Sequence, residues 1–131
     1  MRISRRLFVA VALIVPSVFG IAQTQKGVRS IRPDEARTLI TSRKPLLILD
    51  VRTAAEFREG HLVGARNLDV TLPTFQQSLE KLDTSKTVLV YCAVGGRSAK
   101  ASKILENRGF RVLDLAGGYR AWTQLRYPVQ Q

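Results

Sequence analysis

The sequence predicts an α/β fold, a three-layer α/β/α domain built on a central, mostly parallel sheet. Three observations lead there. Apolar runs at Leu46-Leu47-Ile48-Leu49, Thr87–Tyr91 and Val112-Leu113-Asp114-Leu115 read as strands covered on both faces. Segments with apolar residues at helical spacing stand between them. Gly and Pro mark the changes from one pattern to the other. Strands alternating with helices form right-handed crossovers and hence a parallel sheet with helices on both faces. A chain of 131 residues is one such domain, large enough to bury its own core.

The chain begins with three arginines and no acid in Met1–Arg6, then an unbroken apolar run, Leu7–Val15, that extends past Pro16 and Ser17 to Ile21. Gly20-Ile21-Ala22 follows as a cleavage site, so residues 1–22 are expected to be a signal peptide cut after Ala22. As a membrane anchor the run is short of the roughly 20 residues a spanning helix needs, and Pro16 interrupts it. The protein is therefore expected in the periplasm, touching a membrane only if the segment stays uncleaved. Ser4-Arg5-Arg6-Leu7-Phe8 suits either a twin-arginine signal or an ordinary basic n-region. Residues 23–27 read as a flexible leader and residues 28–129 as the folded domain.

Within that domain, Ser30-Ile31-Arg32-Pro33 reads as the start of the first helix, with Pro33 in the first turn and Asp34 and Glu35 matching the dipole. Ala36, Leu39 and Ile40 give this helix an apolar face, and Lys44-Pro45 ends it before the strand Leu46–Leu49. Thr53-Ala54-Ala55-Glu56 is a capping box that opens a short helix closed by Gly60. Ala65–Leu68 is a short strand. The stripe Leu72, Phe75, Leu79, Leu82, with Thr71 as its cap, predicts the next helix. After the strand Thr87–Tyr91 comes a helix ending at Gly109, then the last strand, Gly117-Gly118, and a helix carrying Ala121, Trp122 and Leu125.

Composition narrows the function. The net charge is +11, and removing residues 1–22 takes away three arginines and no acid, leaving +8. Such a surface favours small anionic substrates. The bases are spread out, with no zinc-ligand set and no aromatic RNA-binding motif, so neither nucleic acid nor a metal is expected. One cysteine in an exported chain cannot form an internal disulfide, so Cys92 is not a structural bridge. The remaining alternatives are an inert core thiol and a reactive one.

The surroundings of Cys92 favour the reactive thiol. Strand Thr87–Tyr91 delivers it into Ala93-Val94-Gly95-Gly96-Arg97-Ser98, and a helical pattern follows. The first turn of a helix leaves N–H donors unpaired, and a sulfur where they converge is held as a thiolate. Ligands of such sheets bind beyond the carboxyl ends of the strands. Asp50-Val51-Arg52, Cys92 and Ala116-Gly117-Gly118 all follow strand ends and should share one rim.

Cys92-x-x-Gly95-x-Arg97-Ser98 resembles the active-site loop of single-domain rhodaneses, sulfurtransferases that work through a cysteine persulfide. Leu49-Asp50-Val51-Arg52 with Glu56-Phe57, Gly60-His61-Leu62-Val63-Gly64-Ala65-Arg66-Asn67, and Leu115-Ala116-Gly117-Gly118-Tyr119-Arg120-Ala121-Trp122 occur in that family's order. The resemblance spans roughly residues 28–129 and implies the rhodanese-like fold. It also implies a thiosulfate or persulfide donor, a thiol or cyanide acceptor that could be a protein cysteine, and no cofactor.

In that reading Cys92 is the nucleophile. Ala93, Val94, Gly95, Gly96, Arg97 and Ser98 cradle the persulfide, and Arg97 braces the loop from inside while supporting the charge. Asp50 and Arg52 hold the rim, with Arg52 expected to pair with Glu56. His61 is expected to be structural, and Trp122 a core anchor. The loop departs from the family at Val94, where a hydroxyl residue is frequent, and has no cation between Cys92 and Arg97. Both departures suit a thiol or protein persulfide better than thiosulfate. Cysteine phosphatases and arsenate reductases have a longer Cys-x5-Arg loop, whereas four residues separate Cys92 from Arg97 here. The other rival is a non-catalytic or sulfur-carrying interaction module on the same fold.

Overall fold

The computed structural model describes residues 27–131; the signal segment 1–22 and leader residues 23–26 lie outside them. Five parallel strands form the central sheet: β1 (Val28–Ile31), β2 (Leu46–Asp50), β4 (Arg66–Asn67), β5 (Thr87–Tyr91) and β6 (Arg111–Leu115), in the spatial order β1-β6-β5-β2-β4. β3 (His61–Leu62) and β7 (Val129–Gln130) pair antiparallel as a separate ribbon. The helices are α1 (Pro33–Thr41), α2 (Ala54–Glu59), α3 (Phe75–Ser78), α4 (Gly96–Asn107) and α5 (Gly118–Gln124), and a 3-10 turn, Leu79–Lys81, prolongs α3.

Strand alternation divides the core between two faces. Leu49, Val88, Val90 and Val112 pack with Phe75, Leu79, Ala101, Leu105 and Phe110 beneath α3 and α4. Ile48, Leu89, Tyr91 and Leu115 pack on the opposite face with Ala36 of α1 and Trp122 of α5. The predicted three layers are present, with a fully parallel central sheet.

Several boundaries differ from expectation. Val28–Ile31 is an edge strand in register with Val112–Leu115, and the helix begins only at Pro33. Val28, Arg29 and Ser30 are exposed and only Ile31 is buried, so this strand lacked a readable apolar pattern. Phe75, Leu79 and Leu82 are buried as predicted, but Leu72 is 52 % exposed. Thr71 does not cap α3: its hydroxyl donates to Asp69 Oδ1 (2.6 Å), closing a local turn before the helix starts. The capping box is present, with Thr53 Oγ1 accepting from Glu56 N (3.2 Å) and Thr53 N donating to Glu56 Oε2 (2.9 Å).

Candidate active site

The carboxyl ends of β2, β5 and β6 bring Asp50, Cys92 and Ala116-Gly117-Gly118 to one rim, as the topology requires. Three connections hold the loop after β5. Val51 N donates to Tyr91 O (3.0 Å), which ties the end of β2 to the end of β5. Tyr119 N donates to Cys92 O (2.8 Å) and Arg120 N to Ala93 O (3.0 Å), so the opening turn of α5 captures the first two loop carbonyls. The loop then curls through Gly95, whose φ of +126° is open to glycine, and enters α4 at Gly96.

Inside the curl, Cys92 Sγ accepts from Gly95 N (3.0 Å), and the thiol faces Ser98 Oγ at 3.6 Å. Ser98 is buried, and its hydroxyl donates to Gly95 O (3.2 Å). The Cys92 residue is only 1 % exposed, so the sulfur sits under the loop. Burial alone would push its thiol up. The Ser98 hydroxyl and the N–H groups of Ser98, Gly95 and Val94 outweigh burial and hold the thiol below its ordinary value. A buried sulfur is thus kept ionisable by donors aimed at it from the start of a 12-residue helix. Val94 is 59 % exposed at the crest of the loop, an apolar side chain at the entrance.

Two expected partnerships are exchanged. Arg52 pairs with Asp50 (Nη2 to Oδ2, 2.6 Å), not Glu56, and also donates to Gly60 O (2.7 Å). Its guanidinium lies 4.1 Å from the Tyr119 ring centroid and 5.6 Å from that of Tyr91. Glu56 is taken instead by Arg97, through Nη1–Oε2 (2.7 Å) and Nη2–Oε1 (2.8 Å). Arg97 therefore ties α4 to α2 from the outer side of the loop and does not brace it from inside. The exchange follows from reach: Asp50 and Arg52 flank Val51 in a buried turn, whereas Glu56, fixed by its capping box, faces the first turn of α4.

The Arg97 guanidinium, with added help from Thr53, holds the Glu56 carboxyl near a pKa of about 2, against an ordinary 4.5. A lowered folded-state value stabilises the fold above the unfolded value and loses that contribution as pH falls through the folded one. Stability should therefore decline from about pH 4.5 to about pH 2. With both side chains about one-third exposed, the contribution should be about 1 kcal/mol after solvent screening. Urea midpoints across this range should fall less steeply in Glu56→Gln than in the wild type; parallel curves would show that the pair contributes nothing.

His61 is satisfied where it stands, with Nδ1 2.8 Å from Phe57 O and the ring stacked on Phe57 at 3.6 Å. Trp122 is buried and donates to Pro128 O (2.9 Å). Sequence reasoning missed Asn67, whose Nδ2 donates to Asp50 O (3.0 Å) and Arg52 O (2.9 Å), and Tyr91, whose hydroxyl accepts from Leu62 N (3.1 Å). Nothing in the local spacing distinguished either from an ordinary loop or core residue.

Comparison with known proteins places this geometry. A family model described as a rhodanese-like domain matches residues 32–125. The probable adenylyltransferase/sulfurtransferase MoeZ of Mycobacterium tuberculosis is 34% identical over 108 residues, covering 82% of this chain but only 27% of that protein. Thiosulfate sulfurtransferase 16, chloroplastic, of Arabidopsis thaliana is 38% identical over 93 residues, 63% of this chain and 78% of the relative. The crystal structure of a rhodanese-related protein from Thermoplasma volcanium superposes with a TM-score of 0.71 at 29% identity, covering 78% of this chain and 97% of that one.

Proposed function

Because the chain belongs to the rhodanese-like domain family, we propose that it is a sulfurtransferase that carries a sulfane sulfur as a persulfide on Cys92. The observation that carries the reading is the sulfur beneath the 92–98 loop, which accepts from Gly95 N–H and is kept ionisable despite burial. Relatives named sulfurtransferase and thiosulfate sulfurtransferase support the same class.

In the first half-reaction the Cys92 thiolate attacks the outer sulfur of the donor. The new S–S bond forms as the donor's own bond to that sulfur breaks, and the leaving sulfite or thiolate departs with the electron pair. In the second, an acceptor thiolate or cyanide attacks the outer sulfur of the persulfide, and Cys92 leaves as the thiolate. No oxidant is consumed, and one cysteine suffices because it holds the sulfur between steps. The N–H groups of the loop stabilise the persulfide anion. Thiosulfate and persulfides are both candidate donors. The engagement of Arg97 by Glu56 and the exposed Val94 favour a persulfide, small or protein-borne, with a thiol as acceptor. Export to the periplasm is part of the proposal, supported by the basic and then apolar segment Met1–Ala22.

Intact mass spectrometry after treatment with thiosulfate, or with a low-molecular-weight persulfide, should record the gain of one sulfur atom. Cyanide or a thiol should discharge it, and Cys92→Ser should never acquire it. A folded, reduced protein that gains no sulfur from either donor would leave the non-catalytic interaction module as the better reading.

A further inference from the structure

On the α4 side of the sheet, behind the sulfur, three polar side chains interrupt an otherwise apolar interface. Ser98 and Ser102 lie one turn apart on the buried face of α4. Asp114 reaches the same layer from β6. It is in register with Val90, and Val90 and Val112 point into the core beneath α4, so strand alternation sends the Asp114 side chain the same way. It lies there beside the Ser98 hydroxyl.

Asp114 Oδ1 and Ser102 Oγ are both buried without a hydrogen-bond partner among the described residues. Such orphaned groups are costly unless they serve a purpose. Ser98 Oγ has a single hydrogen, given to Gly95 O (3.2 Å), and stands 3.6 Å from Cys92 Sγ. Its lone pairs can accept from a carboxylic acid but can only repel a carboxylate.

No cation is placed to neutralise Asp114. On α4, Arg97 is held by Glu56, Lys100 and Lys103 are exposed, and Glu106 lies at the far end. On β1 the register partner is Ser30, and Arg29 turns to Glu35. On β6 itself, Arg111 donates to Ser85 O at the opposite end of the strand. From β5 the nearby titratable group is Cys92.

We propose that Asp114 is a positioning residue for the Cys92 sulfur: as the uncharged acid it donates to Ser98 Oγ, leaving the Ser98 hydrogen free to turn from the Gly95 carbonyl to the sulfur when the thiol loses its proton. The inference rests on Cys92 being the sulfur-carrying nucleophile. Burial pushes the Asp114 carboxyl up, and Ser98 offsets this only in part. The stack then carries one negative charge, on the thiolate or the persulfide. Ionising Asp114 would draw the Ser98 hydrogen to itself and set a second charge beside the sulfur.

The test is a carbon-13 NMR titration of the aspartate carboxyls in the full-length wild type and in Cys92→Ser, with Asp114 assigned by its loss in Asp114→Asn. Asp114 should titrate above the ordinary aspartate range in the wild type, and about one pH unit or more lower in Cys92→Ser, where no thiolate opposes it. An ordinary titration, or the same titration with and without Cys92, overturns the proposal. Alkylation of Cys92 by iodoacetate, an anionic probe, supplies a second readout. In the wild type it should slow several-fold as Asp114 ionises, and in Asp114→Asn that alkaline fall should vanish; an identical fall in both proteins overturns the proposal. Neither readout uses a sulfur donor, so a failure of sulfur transfer would register separately.

Discussion

Arg52→Met is expected to destabilise the protein by about 3–5 kcal/mol, because it strands a buried carboxylate. Asp50 is fully buried and Arg52 is 4 % exposed, and the guanidinium supplies three of the contacts to Asp50: Nε to Oδ1 (3.0 Å), Nε to Oδ2 (3.1 Å) and Nη2 to Oδ2 (2.6 Å). Methionine keeps much of the stem that packs beside Tyr119 and Tyr91 but offers no donor. Asp50 would retain only the backbone N–H of residue 52 (2.9 Å) among these bonds, and Gly60 O would lose its donor at 2.7 Å. Urea unfolding of Arg52→Met, of Asp50→Asn and of the double variant separates the causes. If the stranded charge dominates, the double variant should recover a substantial part of the loss, since asparagine needs no counter-charge and can still accept from the backbone. A loss below about 1 kcal/mol for Arg52→Met would mean that the pair behaves as a solvated surface contact.

The same pair marks the limit of what the sequence disclosed. Strands β2, β5 and β6 were legible because parallel strands buried on both faces become nearly continuous apolar runs, and their common rim followed from topology. Cys92 and its loop were legible because strand, glycines and helix stand next to one another in the chain. The partners of Arg52 and Arg97 were not. Both arginines and both carboxylates were evident, but which charge met which depended on where α2 and α4 came to lie across the rim. Asp114 was hidden for a related reason. Read along the chain it is a polar interruption in a strand, and its meaning appears only when register with Val90 sets it behind Ser98. Edge strand β1 escaped notice because three of its four residues are exposed. Contacts local in sequence leave a local pattern, whereas those made by packing leave none.

Gly118→Ala is the other substitution with a large expected effect, because it acts on the backbone that carries the nucleophile. Gly118 has φ +60°, and a Cβ built there would stand 2.5 Å from Cys92 O, 2.7 Å from Ala93 O and 2.8 Å from Ala93 C. All three are backbone atoms, so no side chain can swing aside. An alanine in left-handed backbone costs about 1–2 kcal/mol before any clash. Relieving the clash would stretch the bonds from Tyr119 N and Arg120 N that hold the first two loop carbonyls (2.8 and 3.0 Å). The expected outcome is about 2–4 kcal/mol of lost stability, with at least a tenfold loss in the rate of Cys92 alkylation and sulfur loading in the fraction that remains folded. Gly117→Ala is the control. It shares the positive φ, at +73°, but its Cβ meets the Ala121 side chain at 2.7 Å and no loop atom is among its near contacts. It should lose stability while largely keeping the reactivity of Cys92. Equal losses of reactivity in the two variants, measured on folded protein, would mean that the start of α5 only supports the fold; a loss confined to Gly118→Ala would make its two hydrogen bonds part of what keeps the sulfur reactive.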